Sequence, residues 1–129
     1  MGPLRLGAIY TVAPYLLPKL IPALHERAPR MPLYLQENYT HRLAELLRGG
    51  ELDVIVVADP FDEPGIVTRA VYDEPFSLAV PNGHRLAGKA PISPARLGEE
   101  KLLLLGAGNC FRDQVVQACS SPGSSDEEA

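Results

Sequence analysis

The stretch "LRLGAIYTVAPYLLPKLIPALHERAP", Leu4 to Pro29, places a strand pattern directly before a helix pattern. Leu4 to Tyr10 alternates apolar and other residues, which predicts a β-strand. Thr11 follows as a candidate N-cap for the helix. Apolar side chains then recur at helical spacing and predict one apolar helix face, made of Leu16, Leu17, Leu20, Ile21 and Leu24. A strand that leads into a helix is the first half of a parallel α/β unit.

The same unit recurs further along the chain. Pro32 to Asn38, "PLYLQEN", predicts a second strand, and Thr40 is a candidate cap for the helix "HRLAELLR" that follows. The apolar stripe of that helix consists of Leu43, Leu46 and Leu47. Leu52 to Ala58, "LDVIVVA", is a continuous apolar run typical of a strand buried on both faces. Strand, helix, strand, helix, strand predicts an α/β fold with a parallel sheet.

The second half of the chain is less regular. We expect adjacent strands at Ile66 to Tyr72 and Phe76 to Pro81, then a short helical turn at Pro94 to Leu97. Lys101 to Gly106, "KLLLLG", predicts a further buried strand. The segment "GNCFRDQVVQAC", which ends at Cys119, has the apolar spacing of a helix.

Composition limits the function classes. The chain has 129 residues, 46% of them hydrophobic, which is enough for one domain with a core. Its net charge of -4 argues against direct binding of nucleic acid or an anionic membrane by this segment. No apolar run or signal-peptide pattern is present, so we expect a cytoplasmic protein. The small, polar and acidic residues 120–129 predict a disordered tail.

Both cysteines, Cys110 and Cys119, lie in one short segment. Because cytosolic thiols stay reduced unless they have a redox role, three uses are open: core packing, a metal site or redox chemistry. Core packing is the simplest, since free cysteine is among the most buried residue types. Scattered histidines and two cysteines do not form a zinc pattern, and no nucleotide-binding loop is present, so we expect no metal and no cofactor.

Three predicted helices begin where a strand has ended: after Thr11, after Thr40, and at Asn109 and Cys110. Helix starts offer unpaired N–H groups and a positive dipole end, which favour small polar or anionic ligands. A helix start and the nearby Arg112 would both lower the pKa of the Cys110 thiol. Asp113 would oppose this if ionised, so its more useful role is to hold a water or donate a proton.

The chain resembles the effector-binding region of LysR-type transcriptional regulators. The segments that carry the resemblance are "LRLGAIYTVAPYLLPKLIPALHERAP", "GGELDVIVV", "DEPFSLAVPNGHRLA" and "GNCFRDQVVQAC". The last of these is similar to the cysteine segment of the hydrogen-peroxide sensors in that family. The resemblance implies a type II periplasmic-binding-protein-like effector domain that is incomplete, with the first subdomain and the start of the second in residues 1–119. It also implies a homodimer or tetramer.

The resemblance further implies what lies outside the chain and which partners act there. The DNA-binding winged helix-turn-helix should precede Met1 and is absent, and the rest of the second subdomain should follow Ala129. DNA would be bound only through that missing domain, and RNA polymerase is a possible partner of the full-length protein. The implied ligand is hydrogen peroxide, and no membrane is involved.

The same resemblance implies the site residues. Cys110 would be the thiol that reacts with peroxide, and Cys119 would resolve it as a disulfide. The surroundings of the peroxide and thiolate would consist of Thr11, Thr40, His41, Asn109, Arg112 and Asp113. Asn109 departs from the family pattern, because peroxide sensors often carry a histidine immediately before the reactive cysteine. We therefore expect Cys110 to react more slowly than in a typical member.

The spacing of the cysteines bears on that disulfide. In a continuous helix, nine steps of about 1.5 Å would hold their Cα atoms roughly 13 Å apart, beyond the roughly 7 Å limit for a disulfide. Oxidation of Cys110 to a sulfenic acid and attack by Cys119 would therefore require the helix to unwind. Two other functions remain open: an effector domain that binds a small organic metabolite, with incidental cysteines, and a thiol peroxidase. We rank the enzyme last, and expect no catalytic residue, because nothing resembles a peroxidase motif.

Overall fold

The computed structural model describes residues 2–88, 92–94, 97, 100–106 and 109–119. The side chain of Cys110, the middle of the turn predicted at Pro94 to Leu97, and the tail 120–129 lie outside the described part. The elements in chain order are β1 (Leu4–Ile9), α1 (Ala13–Arg27), β2 (Leu33–Asn38), α2 (Thr40–Arg48), β3 (Val54–Val56) and α3 (Cys110–Cys119).

The three strands form one parallel sheet in the order β2-β1-β3. Along β1, Leu4 pairs with Leu33 and Ile9 with Asn38, while Ala8 pairs with Val56 on the other side. The helices α1 and α2 make the crossovers that parallel pairing requires. This confirms the predicted parallel α/β sheet, and it brings the carboxyl ends of all three strands to one edge.

The core lies between β1, α2 and the start of α1. Its buried residues are Ile9, Val12, Leu43, Leu46 and Leu52. The predicted stripe of α2 is confirmed, since Leu43 and Leu46 are buried and Leu47 is half-buried. The predicted apolar face of α1 is half-buried along its length.

An ion pair joins the starts of β1 and β3. Arg5 Nη2 lies 2.9 Å from Asp53 Oδ1, and the backbone N–H of Arg5 donates to Asp53 Oδ2 at 2.9 Å. The side-chain hydrogen bond from Arg5, with the backbone one, lowers the pKa of Asp53 below its ordinary value. The carboxylate thus holds the two strands in register from the end opposite the helix starts.

The two predicted threonine caps are wrong. At α1 the N-cap position belongs to Val12, and at α2 it belongs to Tyr39, with no side-chain capping bond at either position. Proline in the first turn of α1 presets the helical φ and lacks the N–H that a cap would satisfy, so this start needs no threonine. At α2 the extended backbone of Tyr39 makes Thr40 the first helical residue.

Several predicted strands also differ from the structure. Within the described ranges, 66–72, 76–81 and 101–106 form no sheet pairing, and Val67 and Leu103 are 96% and 89% exposed. Their apolar alternation supplies a face for a strand, but these segments have no neighbour with which to form a ladder. The strand predicted at Leu52 to Ala58 shortens to Val54–Val56 and lies at an edge of the sheet, so Val54 is 46% exposed rather than buried.

Candidate functional site

A small cavity lies at the edge of the sheet where β1 and β2 end and α2 and α3 begin. Its volume is about 10 Å³, and its lining consists of Ile9, Tyr10, Asn38, Tyr39, Thr40 and Asn109. A single buried water needs about 10–15 Å³ on the same measure. The cavity therefore suits one polar molecule close to water in size.

Thr40 supplies the polar group that most needs a ligand. Its Oγ1 is buried and has no hydrogen-bond partner among the residues that the structure describes. A buried hydroxyl left unpaired costs about 1–3 kcal/mol, so native structures rarely keep one without a purpose. Because Thr40 also lines the cavity, a small molecule there would pair with this hydroxyl.

Asn109 forms the opposite wall and caps α3. Its Oδ1 accepts the N–H of Phe111 at 3.1 Å, and its carbonyl accepts the N–H of Asp113 at 3.5 Å. The asparagine therefore has a structural role that contributes about 1 kcal/mol to helix stability. It also directs the start of α3, and with it the backbone of Cys110, toward the cavity.

Side chains of α3 attach the helix to the rest of the molecule. Gln114 Nε2 donates to the carbonyl of Asp59, which follows β3. Arg112 Nη1 donates to the carbonyl of Leu105 at 3.1 Å. The Phe111 ring meets the Phe76 ring edge to face, with centroids 5.3 Å apart. The sequence reasoning missed Gln114, although its position one turn after Cys110 was a usable signal.

The predicted site residues fall into two groups. Thr40 and Asn109 come together in the cavity lining, so the starts of α2 and α3 converge as expected. Thr11, Arg112 and Asp113 are described but stand outside that lining. His41 also stands outside the lining and stacks on Tyr39, with ring centroids 6.1 Å apart. The functional roles of all these residues stay predictions.

Two tyrosines in the lining were missed. The rings of Tyr10 and Tyr39 meet edge to face with centroids 5.1 Å apart. Each residue directly follows a strand, after Ile9 and after Asn38, and those two residues pair in the sheet. Since neighbouring parallel strands end at the same edge, the sequence did contain the signal that the two rings would meet.

Cys119 lies at the far end of α3 as a buried, free thiol. The helix is continuous over its ten residues, Cys110–Cys119, which confirms the predicted helix. At about 1.5 Å per residue its ends lie roughly 13 Å apart, so a Cys110–Cys119 disulfide cannot form in this conformation.

A second, larger cavity of about 270 Å³ lies beside α3. Its lining consists of Leu103, Leu104, Leu105, Phe111, Arg112 and Val115. In the described part of the chain, no cluster of His, Cys, Asp and Glu side chains could hold a metal ion. Within that same part, no helix has the length and apolarity needed to cross a bilayer.

The fold and the site have the features of a ligand-responsive regulatory domain, and comparison with known proteins identifies the class. The family model of the LysR substrate binding domain matches residues 1–125. The chain belongs to this family, whose fold is periplasmic-binding-protein-like, as the sequence predicted. The family is one of transcriptional regulators.

The relatives within this class are OxyR proteins. The chain is 44% identical over 123 residues to a "probable hydrogen peroxide-inducible genes activator" of Streptomyces viridosporus, covering 95% of this chain and 39% of the relative. It therefore spans well under half the length of that protein.

Two solved structures are also similar. A reduced form of OxyR from N. meningitidis is 59% identical with a TM-score of 0.86, over 91% of this chain and 54% of that one. An H2O2-bound mutant of Corynebacterium glutamicum OxyR is 34% identical with a TM-score of 0.91, over 98% of this chain and 41% of that one.

Proposed function

We propose that this chain is the peroxide-sensing part of an OxyR-like transcription regulator, in which hydrogen peroxide oxidises Cys110. The observation that carries the proposal is the cavity of about 10 Å³ at the start of α3, where the unpaired Thr40 hydroxyl faces a space of water size. Hydrogen peroxide is the signalling molecule of that size with several hydrogen-bonding sites. The resemblance to a peroxide-bound OxyR mutant supports the same ligand.

The proposed chemistry begins with the Cys110 thiolate. Its sulfur attacks one peroxide oxygen, the O–O bond breaks, and the departing hydroxide takes a proton to become water. The sulfur loses two electrons and becomes a sulfenic acid, while the peroxide oxygens gain two. The positive end of the α3 dipole and a cationic Arg112 would favour the thiolate over the thiol.

The neighbouring residues have proposed roles in that step. Thr40 donates a hydrogen bond to the bound peroxide, and Thr11 and His41 complete its surroundings. Asp113 holds a water or donates the proton that the departing oxygen needs. Asn109 positions the start of α3 but, unlike a histidine, adds no positive charge, so Cys110 reacts more slowly than in a sensor with histidine there.

The second step is the switch. The thiol of Cys119 attacks the sulfur of the Cys110 sulfenic acid, a disulfide forms and water leaves. Because α3 separates the two residues by roughly 13 Å, the helix must unwind first, and the disulfide then holds the unwound state. Reduction restores the helix, which makes this segment a two-state redox switch.

We also propose the setting in which this switch acts. Residues 1–119 form the first subdomain and the start of the second, and the whole protein is a cytoplasmic homodimer or tetramer. It binds DNA through a winged helix-turn-helix outside this chain, and RNA polymerase is its partner in transcription. The protein is a sensor rather than an enzyme, since one oxidation per signal suffices.

The test is to trap the sulfenic acid with a carbon nucleophile. The Cys119→Ser variant, treated with hydrogen peroxide, should carry the label on Cys110, because no resolving thiol remains. The Thr40→Val form of this variant should label more slowly. Absence of label on Cys110 at peroxide concentrations that oxidise free thiols would overturn the proposal.

The cavity of about 270 Å³ supports a second candidate, the binding of a small organic metabolite. Its volume approaches the roughly 300 Å³ at which small-molecule sites begin, and Arg112 adds a cation to an apolar lining. An organic anion would then stabilise the fold against heat equally in wild type and Cys110→Ser. No stabilisation by a panel of small carboxylates would rule this candidate out.

A further inference from the structure

Two tyrosine rings form an aromatic wall of the small cavity. The edge of one ring faces the plane of the other, with centroids 5.1 Å apart and planes 74° apart, and both residues line the cavity. Tyr10 and Tyr39 remain 43% and 41% exposed. The wall therefore separates the interior of the cavity from solvent, and any ligand must fit behind or pass between the rings.

Tyr39 is held in place on several sides. Its ring stacks on that of His41 with planes only 10° apart, on the side away from the edge-to-face contact. Its N–H donates to Asn38 Oδ1 at 2.9 Å, and its carbonyl accepts the N–H of Leu43 at 3.0 Å. Swinging the ring outward would therefore lose two aromatic contacts, each worth about 0.5–1.5 kcal/mol.

We propose, resting on the peroxide-sensing function above, that Tyr10 and Tyr39 determine which oxidant Cys110 accepts. An alkyl hydroperoxide carries the same O–O bond as hydrogen peroxide, and its reaction with the thiolate would give the same sulfenic acid with an alcohol in place of water. Its hydrocarbon group, however, does not fit a cavity of about 10 Å³. The aromatic wall excludes the alkyl group and thereby selects hydrogen peroxide.

The experiment compares two oxidants on the same protein. The rate of Cys110 oxidation is measured with hydrogen peroxide and with tert-butyl hydroperoxide, and the ratio of the two rates is the readout. In Tyr39→Ala and Tyr10→Ala this ratio should shift toward the alkyl hydroperoxide by on the order of tenfold or more, the effect of adding space for a few methyl groups. Tyr39→Phe keeps the ring and should keep the wild-type ratio.

Tyr15→Ala is the matched control, because this tyrosine is 72% exposed on α1 and stands outside the cavity lining. Its ratio should equal that of the wild type. A wild-type ratio in both Tyr39→Ala and Tyr10→Ala would overturn the selectivity proposal and leave peroxide sensing intact. If wild-type Cys110 reacts with neither oxidant, the proposed function itself fails. Thermal unfolding identifies a variant that does not fold, and the other alanine variant then decides.

Discussion

At the scale of single residues, the hydroxyl of Thr40 is the feature that separates function from stability. Thr40→Val replaces the hydroxyl with a methyl group of similar shape, so the cavity keeps its size. Because the Oγ1 atom has no partner in the described structure, its removal should leave the free energy of unfolding unchanged or raise it by about 1 kcal/mol.

The same Thr40→Val change should slow Cys110 oxidation by hydrogen peroxide by on the order of tenfold, since one ligand hydrogen bond is lost. Exposed Thr68 gives the control substitution, Thr68→Val, which should alter neither quantity. Thermal melts and stopped-flow oxidation rates measure the two effects. A variant that melts earlier yet reacts at the wild-type rate would mean that Thr40 serves the fold alone.

The Arg5–Asp53 pair predicts a pH dependence of stability. Because the pKa of Asp53 is lowered in the folded state, its carboxylate stabilises the fold above the unfolded value, about 3.9. This contribution is lost as the pH falls through the folded-state pKa. Asp53→Asn should therefore lower the melting temperature near neutral pH and have little effect below about pH 3. Exposed Asp73→Asn is the control, and an equal loss at both pH values would contradict the ionic origin.

At the scale of elements, β1 depends on a close approach at Gly7. A Cβ at this position would come within 2.7 Å of Leu43 Cδ2 and 2.8 Å of Leu52 Cδ1. Both leucines are buried in the core and cannot move away freely. Gly7→Ala should destabilise the protein by about 1–3 kcal/mol, whereas Gly2→Ala, with open space around it, should not. Denaturant titration measures the difference, and an unchanged midpoint for Gly7→Ala would show that α2 shifts without cost.

The elements that could be predicted from sequence are those whose signals are local. Alternation located β1, and helical spacing located α2 and α3, because each pattern reflects which side of one element is buried. Strand pairing is not local: 101–106 has the apolar run of a strand, yet no neighbour pairs with it in the described structure. Thr11 and Thr40 have the right residue type for caps, but the backbone turn that precedes each helix gives the position to another residue.

The candidate site was predictable in outline. Parallel strands that lead into helices direct helix starts to one edge, which is why Thr40 and Asn109 meet as expected. The walls of the cavity were not predicted, because contact between Tyr10 and Tyr39 depends on the order β2-β1-β3, and the pattern of single elements does not specify strand order.

At the scale of the whole molecule, the chain matches part of a larger domain. It covers 54% of the N. meningitidis OxyR chain and 41% of the C. glutamicum one. Exposed apolar side chains in the second half of the described structure, such as Val67, Val71 and Leu103, fit the proposal that this half packs against further parts of the domain.

The central claim is that one helix holds the two cysteines apart until peroxide oxidises the first. The most direct measurement is peptide mass mapping of the full-length protein after treatment with one equivalent of hydrogen peroxide. We predict a cross-linked peptide joining Cys110 to Cys119, lighter by two hydrogen atoms than the reduced pair and abolished by Cys119→Ser. Cys110 oxidised to sulfinic acid with Cys119 still a free thiol, or both thiols unreacted, would contradict the account.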